Sequence, residues 1–406
     1  MSVELSRRAL LAGGGAATAM LASGAAEARI APASLNPLIG PNYRPTDRDE
    51  LGLWAQMRRV EEEVAGSNIL VKDESLNRYL QNLIGKVGGP AARDMRIYLA
   101  RIPDFNAVMF PTGFTVIFTG LLLRMRDEAQ LAGVIAHEAS HFLLKHQIRQ
   151  YRSIRGKTDI LSFAAMLGGI AGGATGVNTG DIAQLAQLGT ILTILRYSRE
   201  LEAESDALGL KLISQAGYAP LSMAQTWEQL IGETELSARV RRKRPDRGYS
   251  IFSTHPAPRT RMNDLRTSAA ELTVPGRVYD RGRERYLGAI GDIRPMLLDD
   301  QVKLNDAGST EFVIQTLAKD GWNGQLRFYE GEAFRLRNAQ RFHDRAALSY
   351  NAAVAYPDAP ADAWRWHGIY LMKAGRQAEG RSALQRYLAM APNAPDAPFV
   401  RQMLVS

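Results

Sequence analysis

Apolar positions recur at a helical period over residues 47–64 and again over 73–87, and the pattern predicts a helix in each stretch. The period then shortens. Residues 96–100, 107–110 and 114–119 are brief β-like runs, and Pro111-Thr112-Gly113 between the last two predicts a hairpin turn. In that hairpin Val116 and Phe118 share one face, with Thr115 and Ile117 on the other. Helical spacing returns over 131–144, behind Asp127 and Gln130, which are spaced as in a capping box. A glycine-rich apolar stretch follows over 160–174 and a second apolar one over 182–195. Neither uninterrupted run reaches the roughly 18 residues of a membrane span, so both predict buried or partly exposed helices that wall a cleft. The second continues as a polar helix through 196–206.

After about residue 265 the character changes. Residues 283–300 and 310–319 predict helices, and the remainder is repetitive. Trp364, Gly368, Leu371, Gly375, Gly380, Leu384, Tyr387 and Pro392 fit the tetratricopeptide repeat of about 34 residues. A weaker copy runs through Phe328, Gly331, Phe334, Ala346, Tyr350, Ala353 and Pro357, and residues 283–319 read as a divergent third.

Composition adds little to this picture except at the N-terminus. A chain of 406 residues is too long for one ordinary core, and its 46% apolar and 23% charged content is that of a globular protein. The net charge of +8 is mostly scattered arginine; its densest cluster, Arg239-Val240-Arg241-Arg242-Lys243-Arg244-Pro245, lacks interleaved aromatics and reads as a solvated loop rather than a nucleic-acid surface. Peripheral contact with an anionic membrane surface stays open. With no cysteine there is no disulfide, thiolate site or lipid anchor. Ser6-Arg7-Arg8-Ala9-Leu10-Leu11, a Gly/Ala-rich apolar run to about Ala22 and then Ala26-Glu27-Ala28 read as a twin-arginine-like signal peptide, residues 1–28, with periplasmic delivery. Leu10 stands where Phe is usual, which leaves ordinary secretion open, and a retained anchor helix is the other alternative. Prolines at 32, 37, 41 and 45 mark residues 29–46 as a linker.

The chemistry sits in the 131–144 helix, at His137-Glu138-Ala139-Ser140-His141. At about 100° per residue, His137 and His141 lie roughly 40° apart, with Glu138 roughly 60° from His141, so all three share a face. Two imidazoles one turn apart can hold one tetrahedral zinc, and the carboxylate between them is placed to take a proton from water activated there. In the 196–206 helix Glu202 and Asp206 share a face, which singles out Glu202 as a third ligand and Asp206 as the partner of a ligand histidine. Glu200 and Glu204 fall on the opposite face, toward solvent or Arg196 and Arg199. His146, nine residues beyond His137 and half a helical turn round, reads as structural.

These residues carry a family resemblance. H-E-x-x-H followed by Glu202-x-Glu204-x-Asp206, with Asn106-Ala107 before a Pro-x-Gly turn, Gly120-Leu121-Leu122, and Ser253-Thr254-His255-Pro256 with Arg261, resembles the gluzincin-type zinc metallopeptidases related to the CAAX prenyl endopeptidase. Ser205 stands where that pattern has Ala. The resemblance implies one zinc per chain held by His137, His141 and Glu202, with Glu138 as general base. It also implies that His255 approaches the zinc or the oxyanion, a structural role being the alternative. The soluble periplasmic branch of the family is the most similar, which implies envelope protein quality control.

The resulting expectation is an α+β zincin-like metallopeptidase domain over residues 47–265, mostly helical with a small sheet, a helical connector over 266–320, and an all-α tetratricopeptide domain over 321–406. Substrates would be unfolded or outer-membrane polypeptides, an extended one pairing with the exposed edge of the 114–119 strand near Asn106, Ala107, Val116 and Phe118. The repeats would contact envelope assembly machinery. A non-catalytic chaperone or scaffold with a structural zinc is the alternative, disfavoured because such a site needs no base.

Overall fold

The structure is a computed structural model that describes residues 30–154, 197–242, 255, 258–337 and 340–405. The signal-like segment, the apolar stretches over 160–174 and 182–195, and Ser253, Thr254 and Pro256 lie outside the described residues.

Helices α1 (Arg48–Ala65) and α2 (Glu74–Val87) begin where an aspartate accepts hydrogen bonds from the free N–H groups of the first turn: Asp47 from Asp49 and Glu50, Asp73 from Leu76. In α2 the positions spaced four, three and one apart, Leu76, Leu80, Leu83, Ile84 and Val87, are all buried. Each such burial stabilises the fold by about 1.5–3 kcal/mol.

Strands β1 (Arg96–Ala100), β2 (Ala107–Met109) and β3 (Phe114–Phe118) form one sheet in the order β1-β3-β2, with β1 parallel and β2 antiparallel to β3. Gly113, at φ 84°, supplies the left-handed turn residue between β2 and β3. This arrangement corrects the substrate-binding expectation. Strand β3 is central and has no free edge. Val116 and Phe118 do share a face, but both are buried with Phe114, Leu53 and Met57 in a second apolar cluster, whereas Ile117 faces the main core.

Helix α3 (Thr119–Arg124) follows directly. A Cβ on Gly120 would fall 2.1 Å from the Pro103 carbonyl oxygen, so only glycine lets the chain pass there. In α4 (Glu128–Leu143) the Asp127 carboxylate accepts from the Gln130 N–H at 2.9 Å, while the Gln130 side chain accepts from the N–H of Arg126, so the return bond closes one residue earlier than in a capping box. The helix stops at Leu143, Lys145 takes a left-handed φ of 55°, and α5 (His146–Ile154) starts afresh. Helix α6 (Arg199–Gln215) packs on α4. Gly209 sets their separation, since a Cβ there would lie 3.1 Å from the backbone nitrogen of His137. Helices α7 (Ser222–Arg241) and α8 (Pro258–Leu272) close the unit against α6 and α4.

The stretch 283–300, expected as one helix, is two: α9 (Arg283–Ile290) and α10 (Arg294–Lys303). Pro295 lies in the first turn of α10, where its missing N–H costs nothing, whereas in mid-helix it would break the ladder. Helix α11 (Ala307–Leu317) begins three residues ahead of the expected start, because Asp306 accepts from the Ser309 N–H. Then come α12 (Gly324–Arg337), α13 (His343–Ala353), α14 (Ala361–Lys373), α15 (Gln377–Met390) and α16 (Ala397–Val405), packed chiefly as the pairs α12/α13 and α14/α15. One apolar cluster runs without a break from Leu80 and Leu131 through Tyr286 and Leu297 to Phe334 and Tyr370. No described helix is long and apolar enough to cross a membrane.

Candidate metal centre

The α4–α6 contact brings together the side chains of His137, His141, Glu202 and His255, all buried, with one donor atom from each lying within 4.8 Å of the others. The Nε2 atoms of His137 and His141 are 3.1 Å apart, and Glu202 oxygens lie 3.5 Å from the first and 3.7 Å from the second. Tetrahedral Zn–N and Zn–O bonds of about 2.0–2.1 Å put ligand atoms roughly 3.3 Å apart, so this donor set fits a single zinc ion. His255 adds a fourth donor: its Nδ1 is 3.0 Å from both Glu202 oxygens and its Nε2 is 3.6 Å from Glu138.

The outer nitrogens of both motif histidines are engaged. Asp206 sits 3.0 Å from His137 Nδ1. His146 Nδ1 sits 2.9 Å from His141 Nδ1, and its other nitrogen is 3.1 Å from Glu204. If His141 offers Nε2 inward, its Nδ1–H donates to His146, whose Nε2–H then donates to Glu204, a consistent set of tautomers. This overturns two expectations. His146 is not on a continuation of the zinc helix, since the turn at Lys145 swings it back behind His141. Glu204 is half-buried and pairs with His146 and Arg149 rather than Arg199, Arg196 lying outside the described residues, whereas Glu200 is exposed.

Charge balance is supplied from α8. Arg261 is buried, with Nη1 2.5 Å from Glu202 and both Nε and Nη2 2.7 Å from Asp206. Burial alone would raise both carboxyls, but this guanidinium outweighs it and holds Glu202 well below, and Asp206 below, the ordinary carboxylate range. Burial also drives His141 well below its usual value, with His137 adding to the effect, which keeps it neutral as a metal ligand must be. His137 goes the other way. Burial lowers it, yet the hydrogen bonds with Asp206 and Glu202 prevail and raise it to about 9. Tyr197 stacks flat on the His141 ring at 3.8 Å.

Glu138 is buried, and that burial pushes its carboxyl up, while its Oε2 accepts from the Met109 N–H at 3.1 Å. Strand β2, not β3, therefore borders the site. Asn106 is buried with its own side chain accepting from the Ala107 N–H, and Ala107 lies in the core, so neither side chain is available to a substrate. The cleft beside His137, Glu138 and His255 is walled instead by Phe105, Val134, Met223, Trp227 and Leu230. The sequence pattern includes Arg261 without assigning it a role and reads His146 as structural; nothing there pointed to Tyr197 or Phe105.

A helical histidine pair facing a glutamate from a second helix, with a small sheet alongside, defines a zincin-like metallopeptidase. The sequence model of peptidase family M48 matches residues 71–269, just under half of the chain, and supports a metallopeptidase of that kind there. Among known proteins it is similar to the beta-barrel assembly-enhancing protease of Escherichia coli K12, 27% identical over 310 residues that cover 74% of this chain and 59% of that protein. It is also similar to the mitochondrial metalloendopeptidase OMA1 of Schizosaccharomyces pombe (26% over 213 residues, 52% of this chain and 57% of the relative). Metalloprotease LoiP of Escherichia coli K12 is 29% identical over 171 residues, 42% of this chain and 60% of the relative. The chain thus spans less than two thirds of the length of these relatives.

Proposed function

We propose that the chain is a zinc-dependent metalloendopeptidase of the periplasm that cleaves unfolded or unassembled envelope proteins, with its C-terminal helix pairs, read as tetratricopeptide repeats, capturing them. The carrying observation is the buried Glu138 beside a four-donor cluster of zinc-fitting dimensions. His137, His141 and Glu202 would hold the ion; when bound, zinc supplies a Lewis acid that polarises a peptide carbonyl and acidifies water. Glu138 takes the proton of the attacking water and returns it to the leaving nitrogen, and its raised affinity for a proton suits that exchange near neutral pH. Asp206 and His146 keep the two imidazoles in the right tautomer. Arg261 offsets the charge of Glu202 and Asp206. His255, within reach of both Glu202 and Glu138, would be the fourth donor to a bound ion at rest. An extended substrate would lie along β2 with an apolar side chain against Phe105 and Trp227.

The test compares wild type, Glu138→Gln and His255→Ala for zinc content and for cleavage of an unfolded outer-membrane protein. Glu138→Gln should keep near-stoichiometric zinc and lose most turnover; full activity in that variant would sink the mechanism. His255→Ala should keep zinc and cleave faster, whereas reduced turnover would move His255 to the oxyanion. Cargo binding without cleavage by the zinc-loaded wild type would favour the scaffold alternative.

A further inference from the structure

Away from the metal centre a cleft of about 400 Å³ opens between α1 and the turn that joins β2 to β3. Four arginines line it. Arg96 is held by Glu61 at 2.6 Å, but Arg44, Arg58 and Arg93 have no carboxylate partner among the described residues. The one acid in the cleft, Asp94, already accepts from the Asn42 N–H at 2.7 Å and cannot balance three guanidiniums. Three such guanidiniums on one cleft differ from arginines such as Arg101, paired with Asp300, and Arg281, paired with Asp127. A second observation is independent of charge. Thr112 lines the same cleft and is 5% exposed, yet its hydroxyl has no hydrogen-bond partner among the described residues. A buried hydroxyl without a partner costs free energy unless something completes it. Trp54 adds an aromatic wall, braced edge-on by Tyr43.

We propose that this cleft binds a phosphate ester, its phosphate among Arg44, Arg58 and Arg93 with the Thr112 hydroxyl donating, and its organic part against Trp54. A carboxylate brings one charge and two oxygens; a phosphate brings up to two charges and three free oxygens, the better match to several guanidiniums. The volume is that of small-ligand sites, which span about 300–1,000 Å³. Such a group could come from a phospholipid headgroup or from a soluble ester.

Full-length protein is titrated calorimetrically with glycerol 3-phosphate and sedimented with vesicles of phosphatidylcholine with or without phosphatidic acid, whose headgroup is a phosphate monoester. Binding of glycerol 3-phosphate would assign a soluble ester. Binding of phosphatidic acid vesicles without it would assign a headgroup. In either case Arg58→Gln with Arg93→Gln should weaken binding by about tenfold or more, the loss of two charge-assisted bonds. A charge-matched control, Arg259→Gln with Arg266→Gln, should bind as wild type does, and zinc content reports that each variant is folded. The site is disproved if neither probe binds, or if the two double variants lose binding equally.

Discussion

The α4/α6 pair and the α14/α15 pair solve the same backbone problem and fill the space differently. Each relies on glycine for close approach: Gly209 faces the His137 backbone, and a Cβ on Gly368 would lie 2.9 Å from the Gly380 carbonyl. In the C-terminal pair the contact is apolar and local, with Leu384 and Tyr387 buried and Tyr387 tied to Asp396 nine residues on. In the α4/α6 pair the space holds His137, His141, Glu202 and Asp206, and what keeps them in place arrives from outside the two helices: Arg261, His146 and His255. Buried polar groups need partners, and two helices alone do not supply enough of them. The C-terminal helix pair is therefore held by its own neighbouring sequence, whereas the metal centre depends on separate segments of the chain.

The sharpest way to break that contrast is to remove the carboxylate common to the donor set and the charge balance. Glu202→Ala should lose most of its zinc and destabilise the fold by about 3–5 kcal/mol, because Arg261 is left with part of its buried charge unbalanced. Zinc content by atomic absorption and a urea titration read the two effects. Retention of stoichiometric zinc would mean that Glu202 is not a ligand. In the neighbouring C-terminal pair, α12/α13, Tyr350→Ala should cost a similar amount, about 3–5 kcal/mol, since the ring is fully buried and packs on Gly331. Zinc should stay bound there. Loss of zinc in Tyr350→Ala would show that the continuous core makes one cooperative unit and would erase the distinction.

A smaller effect tests the relay behind His141. His146→Ala should lower zinc affinity about 10–100-fold, measured by competition with a chelator, while leaving Glu138 and the other donors untouched. Affinity equal to wild type would return His146 to a merely structural role.

How much of this was legible follows the same division. The helical period, the caps at Asp47, Asp73 and Asp127, and the shared face of His137, Glu138 and His141 are local properties, and the sequence reading of them agrees with the structure. So do the hairpin and the helix pairs after 321. What failed was non-local or hidden at a break. His146 was misplaced because the α4 period was carried through Lys145, whose left-handed φ no side-chain pattern announces. Val116 and Phe118 were placed beside an exposed strand edge because alternation alone cannot say that β1 covers the outer edge and α1 the outer face. The split between α9 and α10 was readable, since Pro295 marks it. Tyr197 on His141 and the Arg261 bridge depend on tertiary placement alone.

The gentlest probe is pH. Hydrogen bonds from Arg149 first, and His146 second, hold the Glu204 carboxyl at about 2, against 4.5 when unpaired. A carboxyl lowered by folding contributes stability that is fully present above its unfolded value and is lost as pH falls through its folded one, so the window runs from about pH 4.5 down to about 2. Glu204 is partly open to solvent, and screening limits its contribution to about 1 kcal/mol. Metal-free wild type and Glu204→Gln are therefore unfolded by urea at pH 5 and pH 3. Wild type should lose about 0.5 kcal/mol more than the variant over that interval, roughly half of the whole contribution, because only wild type has the carboxylate to protonate. Equal losses would mean that the Arg149–Glu204–His146 chain adds nothing to the fold, and the support it lends His141 would have to come from Tyr197 alone.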